Sequence, residues 1–203
     1  MKLKLTTFSV MLALGCFNTS FTSCSQENPE EVSYQKESTI NSKLYNLDTM
    51  IKEEGLKLHS MNYHHYKTRG TTPTSTTITQ EEEEVLNTSL DKINIATKTA
   101  LAEYGITEEE LTSIFGDAND KRIALVGIIL TENLHNRHSR SLEWDDYVGC
   151  AAEALGLNIF TSLRTMTKKA ALQLVKQIAK RSMGPIGVGI TVAEFSWCLY
   201  RNR

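Results

Sequence analysis

The stretch "DKRIALVGIILTENLHN", residues 120–136, decides what kind of fold this chain can adopt. Its apolar residues, Ile123 to Leu130, run on without the three-to-four spacing of an amphipathic helix or the strict alternation of a half-buried strand. The reading is a strongly apolar helix, but its β-branched content also suits a buried strand, and periodicity alone does not separate the two. The neighbouring segments must decide.

Upstream, "TEEELTSIFG" (residues 107–116) pairs Thr107 with Glu110 as a capping box and closes on Gly116, which predicts a short helix. Before it, "EEEEVLNTSLDKINIATKTALAEYG" (residues 81–105) opens on four acids, the favourable charge for a helix N-terminus, and carries Leu86, Leu90, Ile93, Ala96, Ala100 and Leu101 before stopping at Gly105. Residues 68–80 are threonine-rich, contain Gly70 and Pro73, and have no apolar period, so a solvated linker is expected there. From residue 38, Ile40, Leu44, Leu47, Ile51 and Leu58 recur with helical regularity.

Downstream, "SLEWDDYVGCAAEALG" (residues 141–156) starts at Ser141, has acids in its first turns and ends at Gly156, again helical grammar. A basic helix over about 165–181 follows. Ala170, Ala171, Leu172, Leu174, Val175, Ile178 and Ala179 cover one arc of it, and Lys169, Gln173, Lys176, Gln177 and Lys180 the other. Gly184 and Pro185 break the chain before a last apolar helix over about 185–200. No convincing alternation, internal repeat or Asn-Gly hairpin occurs, so the expected class is all-α: a bundle-like domain whose C-terminal basic/apolar hairpin, about 165–200, is stapled by a disulfide.

The N-terminus reads as an export signal over residues 1–23. "MKLK" supplies the positive region, "LTTFSVMLALGCF" the apolar one, and small residues precede Cys24. Cys24 and Cys16 both follow such a run and both are candidates for lipid attachment. Cleavage before Cys24 leaves Cys150 and Cys198 as an even pair for a disulfide in an oxidising compartment, whereas cleavage before Cys16 strands one thiol. Cys24 is therefore the favoured site, followed by a polar tether over residues 24–37. The expected location is the cell envelope, as an outer-membrane or surface lipoprotein, with plain secretion as the alternative.

The formal charge of −2 hides an asymmetry: from Gly156 onward eight bases face the single acid Glu194, a net of +7, which leaves −9 for the rest. An acidic body thus carries a basic tail. The candidate membrane-contact residues in that tail are Lys168, Lys169, Lys176, Lys180, Arg181, Ile186 and Ile190, with anionic lipid as the candidate partner beside the membrane reached by N-terminal acylation. No nucleic-acid partner and no cofactor are expected, and no protein partner is named.

Catalytic and metal motifs are few. His59, His64 and His65 cluster in "LHSMNYHHYK", and His135 and His138 stand three apart, but HExxH, paired CxxC and EF-hand spacings are missing, so polar-face histidines are favoured over a metal site. Asp145, Asp146 and Glu81 to Glu84 lie where first-turn acids stabilise a helix. There is no GxSxG elbow, and the two domain cysteines look paired, so no enzyme is expected. "GPIGVG" (residues 184–189) lacks the glycine order, the Lys-Ser/Thr and the preceding strand of a phosphate loop. Its glycines instead allow close helix packing, with Gly189 and Ala193 a small-xxx-small pair.

Residues 146–200 resemble the C-terminal region of small Bacteroides-type lipoproteins and of the bacteriocin-like family related to fulvocin C. The shared features are Cys150 before Ala154 to Gly156, the Lys-rich helix from Lys168 to Arg181, the glycine pattern from Gly184 to Ile190, and Phe195 with Cys198. The resemblance implies a bacteriocin-like, membrane-active C-terminal module over residues 165–200, held folded by the Cys150–Cys198 bond, and supplies no catalytic residues to carry over. Glu194 departs from the pattern by placing an acid in the apolar helix. The competing expectation is a surface or periplasmic binding module in which the same tail is core.

Overall fold

A computed structural model describes residues 29–61, 78–138, 142–156 and 166–202. Among them are seven helices and no strand: α1 (Pro29–Ser60), α2 (Gln80–Glu103), α3 (Glu108–Phe115), α4 (Ile123–His138), α5 (Leu142–Leu155), α6 (Lys168–Ala179) and α7 (Pro185–Arg201). The expected signal, Cys24, His64, His65 and most of the threonine-rich linker lie outside the described residues.

The ambiguous stretch is α4, and its environment explains the ambiguity. Every residue from Ile123 to Glu132 is buried, because α4 packs against α1, α2, α5, α6 and α7 at once. A helix enclosed on all sides has no polar face, so its sequence carries no 3.6-residue signal. The amphipathic helices around it do carry one. Leu44, Leu47, Ile51 and Leu58 of α1 and Leu86, Leu90, Ile93 and Leu101 of α2 are buried as their spacing requires.

The helix ends follow local chemistry. Thr107 and Glu110 form the expected capping box of α3, and Gly116 closes that helix with φ 86°. A second box, between Thr79 and Glu82, starts α2 inside the segment read as linker. The first helix begins at Pro29, so residues 29–37 of the expected tether are helical. The basic helix starts at Lys168, later than about 165, because the Thr167 hydroxyl accepts the Ala170 amide. Pro185 occupies the first turn of α7 behind Gly184, as expected.

The two C-terminal helices bury their apolar sides against different partners. Helix α6 leans on α4 and α3, whereas α7 lies centrally against α1, α5, α4 and α2. Val188, Val192 and Phe195 of α7 are fully enclosed. Arg122, at the start of α4, fixes the end of α6: its guanidinium donates to the carbonyls of Ala179 (2.6 Å) and Arg181 (2.9 Å) while paired with Asp120. The Asp120 carboxyl is held below its usual range despite partial burial, chiefly by the Arg122 hydrogen bonds and charge. A disulfide joins Cys150 of α5 to Cys198 of α7, with Cα atoms 5.6 Å apart.

Candidate functional site

The site forms where the end of α1 meets α7. Gly55 of α1 has no side chain, and a β-carbon there would fall 1.9 Å from the Ser196 hydroxyl oxygen. The two helices therefore come close enough for that hydroxyl to donate to the Ile51 carbonyl at 2.9 Å. One turn further along α1, the same approach lays His59 flat on Trp197, with ring centroids 4.3 Å apart and planes 7° from parallel. Tyr200 stacks on Trp197 in turn at 5.5 Å.

Beside this stack is a cleft of about 220 Å³. One wall is α7, where Ile190, Glu194, Trp197 and Arg201 recur at helical spacing, Ile190 at the edge of the core and the other three turned away from it. The other wall is α5, with Glu153 and Ala154, and the Cys150–Cys198 bond lies between the walls. Trp197 is 38% exposed and Tyr200 59%, so the two stacked rings form an aromatic patch at the surface. Glu153 and Arg201 are exposed, and their side chains form no hydrogen bond or ion pair with another described residue. The arrangement offers apolar aromatic surface, carboxylate acceptors and a guanidinium donor around a small concavity, which is equipment for binding a small molecule with both apolar and polar parts.

The acid that interrupts the apolar helix is thereby accounted for: Glu194 faces this cleft and not the core. Gly189 does admit a neighbour, since a β-carbon there would meet the Leu86 side chain of α2 at 2.2 Å, while Ala193 lines the cleft. A close helix–helix approach is also made at Gly55, a position that reads in the sequence only as a helix-weakening residue.

The remaining expected residues scatter. Lys168 pairs with Glu110 of α3 at 2.9 Å. Lys169 and Lys176 are exposed on α6, Lys180 is exposed at its C-cap, and Arg181 just beyond is half-buried. Ile186 is exposed at the start of α7, and Ile190 is half-buried against the core. The cations and the two isoleucines thus belong to different helices with different neighbours. His135 and His138 fall in the last turn of α4. Among the described residues, no group of three or more His, Cys, Asp or Glu side chains is placed to hold a metal ion.

A second polar cluster is wholly internal. The Tyr147 and Thr131 hydroxyls share a hydrogen bond, Tyr147 packs edge-on against Phe195, and Asp48 with its Lys52 partner (2.5 Å) lies at the cluster's edge. Glu132, only 1% exposed, has neither carboxylate oxygen hydrogen-bonded within the described structure. Burial pushes its pKa up to about 8, so it is mostly protonated at neutral pH.

Scans against known protein families, curated proteins and solved structures return no match.

Proposed function

We propose that this chain is an exported, lipid-anchored, non-enzymatic helical binding module of the cell envelope. Cys24 carries the anchor, and the cleft beside His59 and Trp197 is the recognition surface. The observation that carries the reading is the position of α7: a helix whose Val188, Val192 and Phe195 are fully enclosed and which packs on four other helices is core. Moving it into a bilayer would expose the apolar faces of all four neighbours, at about 25 cal/mol for each Å² uncovered. No helix among the described residues is long and apolar enough to cross a membrane.

The basic α6 supports a second, compatible contact. Lys169, Lys176 and Lys180 form an exposed cationic face suited to resting on anionic lipid, each worth about 1 kcal/mol near such a surface. In this reading α6 lies on the membrane surface while α7 stays inside the protein.

Two experiments test the proposal. Dye-loaded anionic vesicles are mixed with the full domain, oxidised and reduced. Retention of dye in both states agrees with a binding module; release in either state supports a membrane-active tail. Metabolic labelling with a fatty acid is compared in Cys24→Ser and Cys16→Ser. Label lost only in Cys24→Ser supports the anchor, and label surviving that change removes Cys24 from the role.

A further inference from the structure

We propose that the cleft between α5 and α7 holds one pyranose ring of a glycan, an assignment that rests on the binding-module reading and names its ligand class. A pyranose is an unusual ligand in having a face of C–H groups and a rim of hydroxyls. The cleft matches both parts. His59 and Trp197 both line the cleft, and their parallel stacking holds the two rings in one orientation, so the exposed part of the pair supplies a preformed apolar contact for the C–H groups. Around it, Glu153 and Glu194 offer acceptors, and Arg201 offers a fork of donors able to bridge neighbouring hydroxyls.

Charge and size select against the other ligand classes. The exposed Glu153 carboxylate disfavours an anion and Arg201 at the same rim disfavours an isolated cation, whereas a neutral polyol can donate to the carboxylate and accept from the guanidinium. The volume of about 220 Å³ lies below the ~300–1,000 Å³ of sites for drug-sized molecules and suits a single ring. Tyr200, stacked next to Trp197 and 59% exposed, continues the aromatic surface outward, so the next sugar of a chain has a second platform. The ligand is therefore a residue within a glycan and not a free sugar.

The test uses the full disulfide-bonded chain with Trp144→Phe, which leaves Trp197 as the sole indole fluorophore. The probes are methyl β-glucopyranoside, methyl β-galactopyranoside, N-acetylglucosamine and trisaccharides of the same sugars, read by Trp197 emission and by saturation transfer to ligand protons. We expect at least one pyranoside to bind, and its trisaccharide to bind more tightly. Glu153→Gln and Arg201→Gln, both exposed positions, should each weaken that binding about tenfold, the loss expected for a hydrogen bond to a charged group. Tyr45→Ala, a remote exposed aromatic, should leave it unchanged. A monosaccharide that binds as tightly as its trisaccharide overturns the glycan assignment in favour of a free sugar. Choline or a dipeptide perturbing Trp197 while every saccharide fails overturns the saccharide class and leaves the binding module standing. Silence from all of these probes counts against both.

Discussion

Gly55 and Ser196 mark a close approach of α1 and α7: a β-carbon on Gly55 would lie 2.6 Å from that of Ser196 and 3.0 Å from the Val192 carbonyl oxygen. Segments more than a hundred positions apart in the sequence meet there, and the candidate site is built one turn away. The contact converts a glycine that weakens α1 locally into the residue that seats α7.

The first prediction follows from that sign reversal. In an exposed helix, Gly→Ala stabilises by about 1 kcal/mol. At position 55 the added methyl has no room, and Gly55→Ala should instead destabilise by about 1–3 kcal/mol, as overpacking does. Urea denaturation measures it. Ser196→Gly should recover part of the loss in the double variant, and a Gly55→Ala protein at least as stable as the parent would show that the helices do not approach this closely.

Glu132 makes stability depend on pH in a defined window. Its folded pKa is raised from 4.5 to about 8, so between those values the unfolded chain ionises while the folded one stays protonated. The unfolded state then binds fewer protons, and stability falls as pH rises from about 4.5 to 8, at up to 1.4 kcal/mol per unit. Glu132→Gln should flatten that slope and be more stable than the parent by up to about 5 kcal/mol at the upper end. Below the unfolded pKa the difference should vanish. Melting temperatures of both proteins across this range check it, and equal slopes would refute the assignment.

The disulfide closes a loop of 48 residues, for which chain entropy gives about 3–4 kcal/mol. Cys150→Ser with Cys198→Ser should lower the urea midpoint accordingly while leaving far-UV circular dichroism unchanged, because Val188, Val192 and Phe195 still hold α7 in place. Loss of helical signal at room temperature would mean that the bond, and not the packing, retains α7.

The sequence made some of these features legible and hid others for physical reasons. Capping at Thr107 and breaks at Gly116 and Pro185 depend on neighbouring residues only and could be read directly. The cysteine pairing followed from counting. The nature of α4 could not follow from periodicity, since burial on every side erases the pattern. Nor could the partner of α7: its pairing with α1 turns on Gly55, whose meaning depends on a residue more than a hundred positions away. The cleft was half visible, in the outward stripe of Glu194, Trp197 and Arg201, but His59 and Glu153 join it only through tertiary packing. Of the five histidines, His59 matters here as an aromatic surface, a role that metal-ligand spacings do not capture.

The central claim is that α7 is the core of the domain and stays there. Amide hydrogen exchange of the oxidised full domain, followed by mass spectrometry with and without anionic vesicles, tests it most directly. Residues 188–199 should rank among the slowest-exchanging segments in both conditions, with any vesicle-dependent change confined to α6. Rapid exchange across 188–199, or protection there that changes when vesicles are added, would contradict the account and return the C-terminal helix to the membrane.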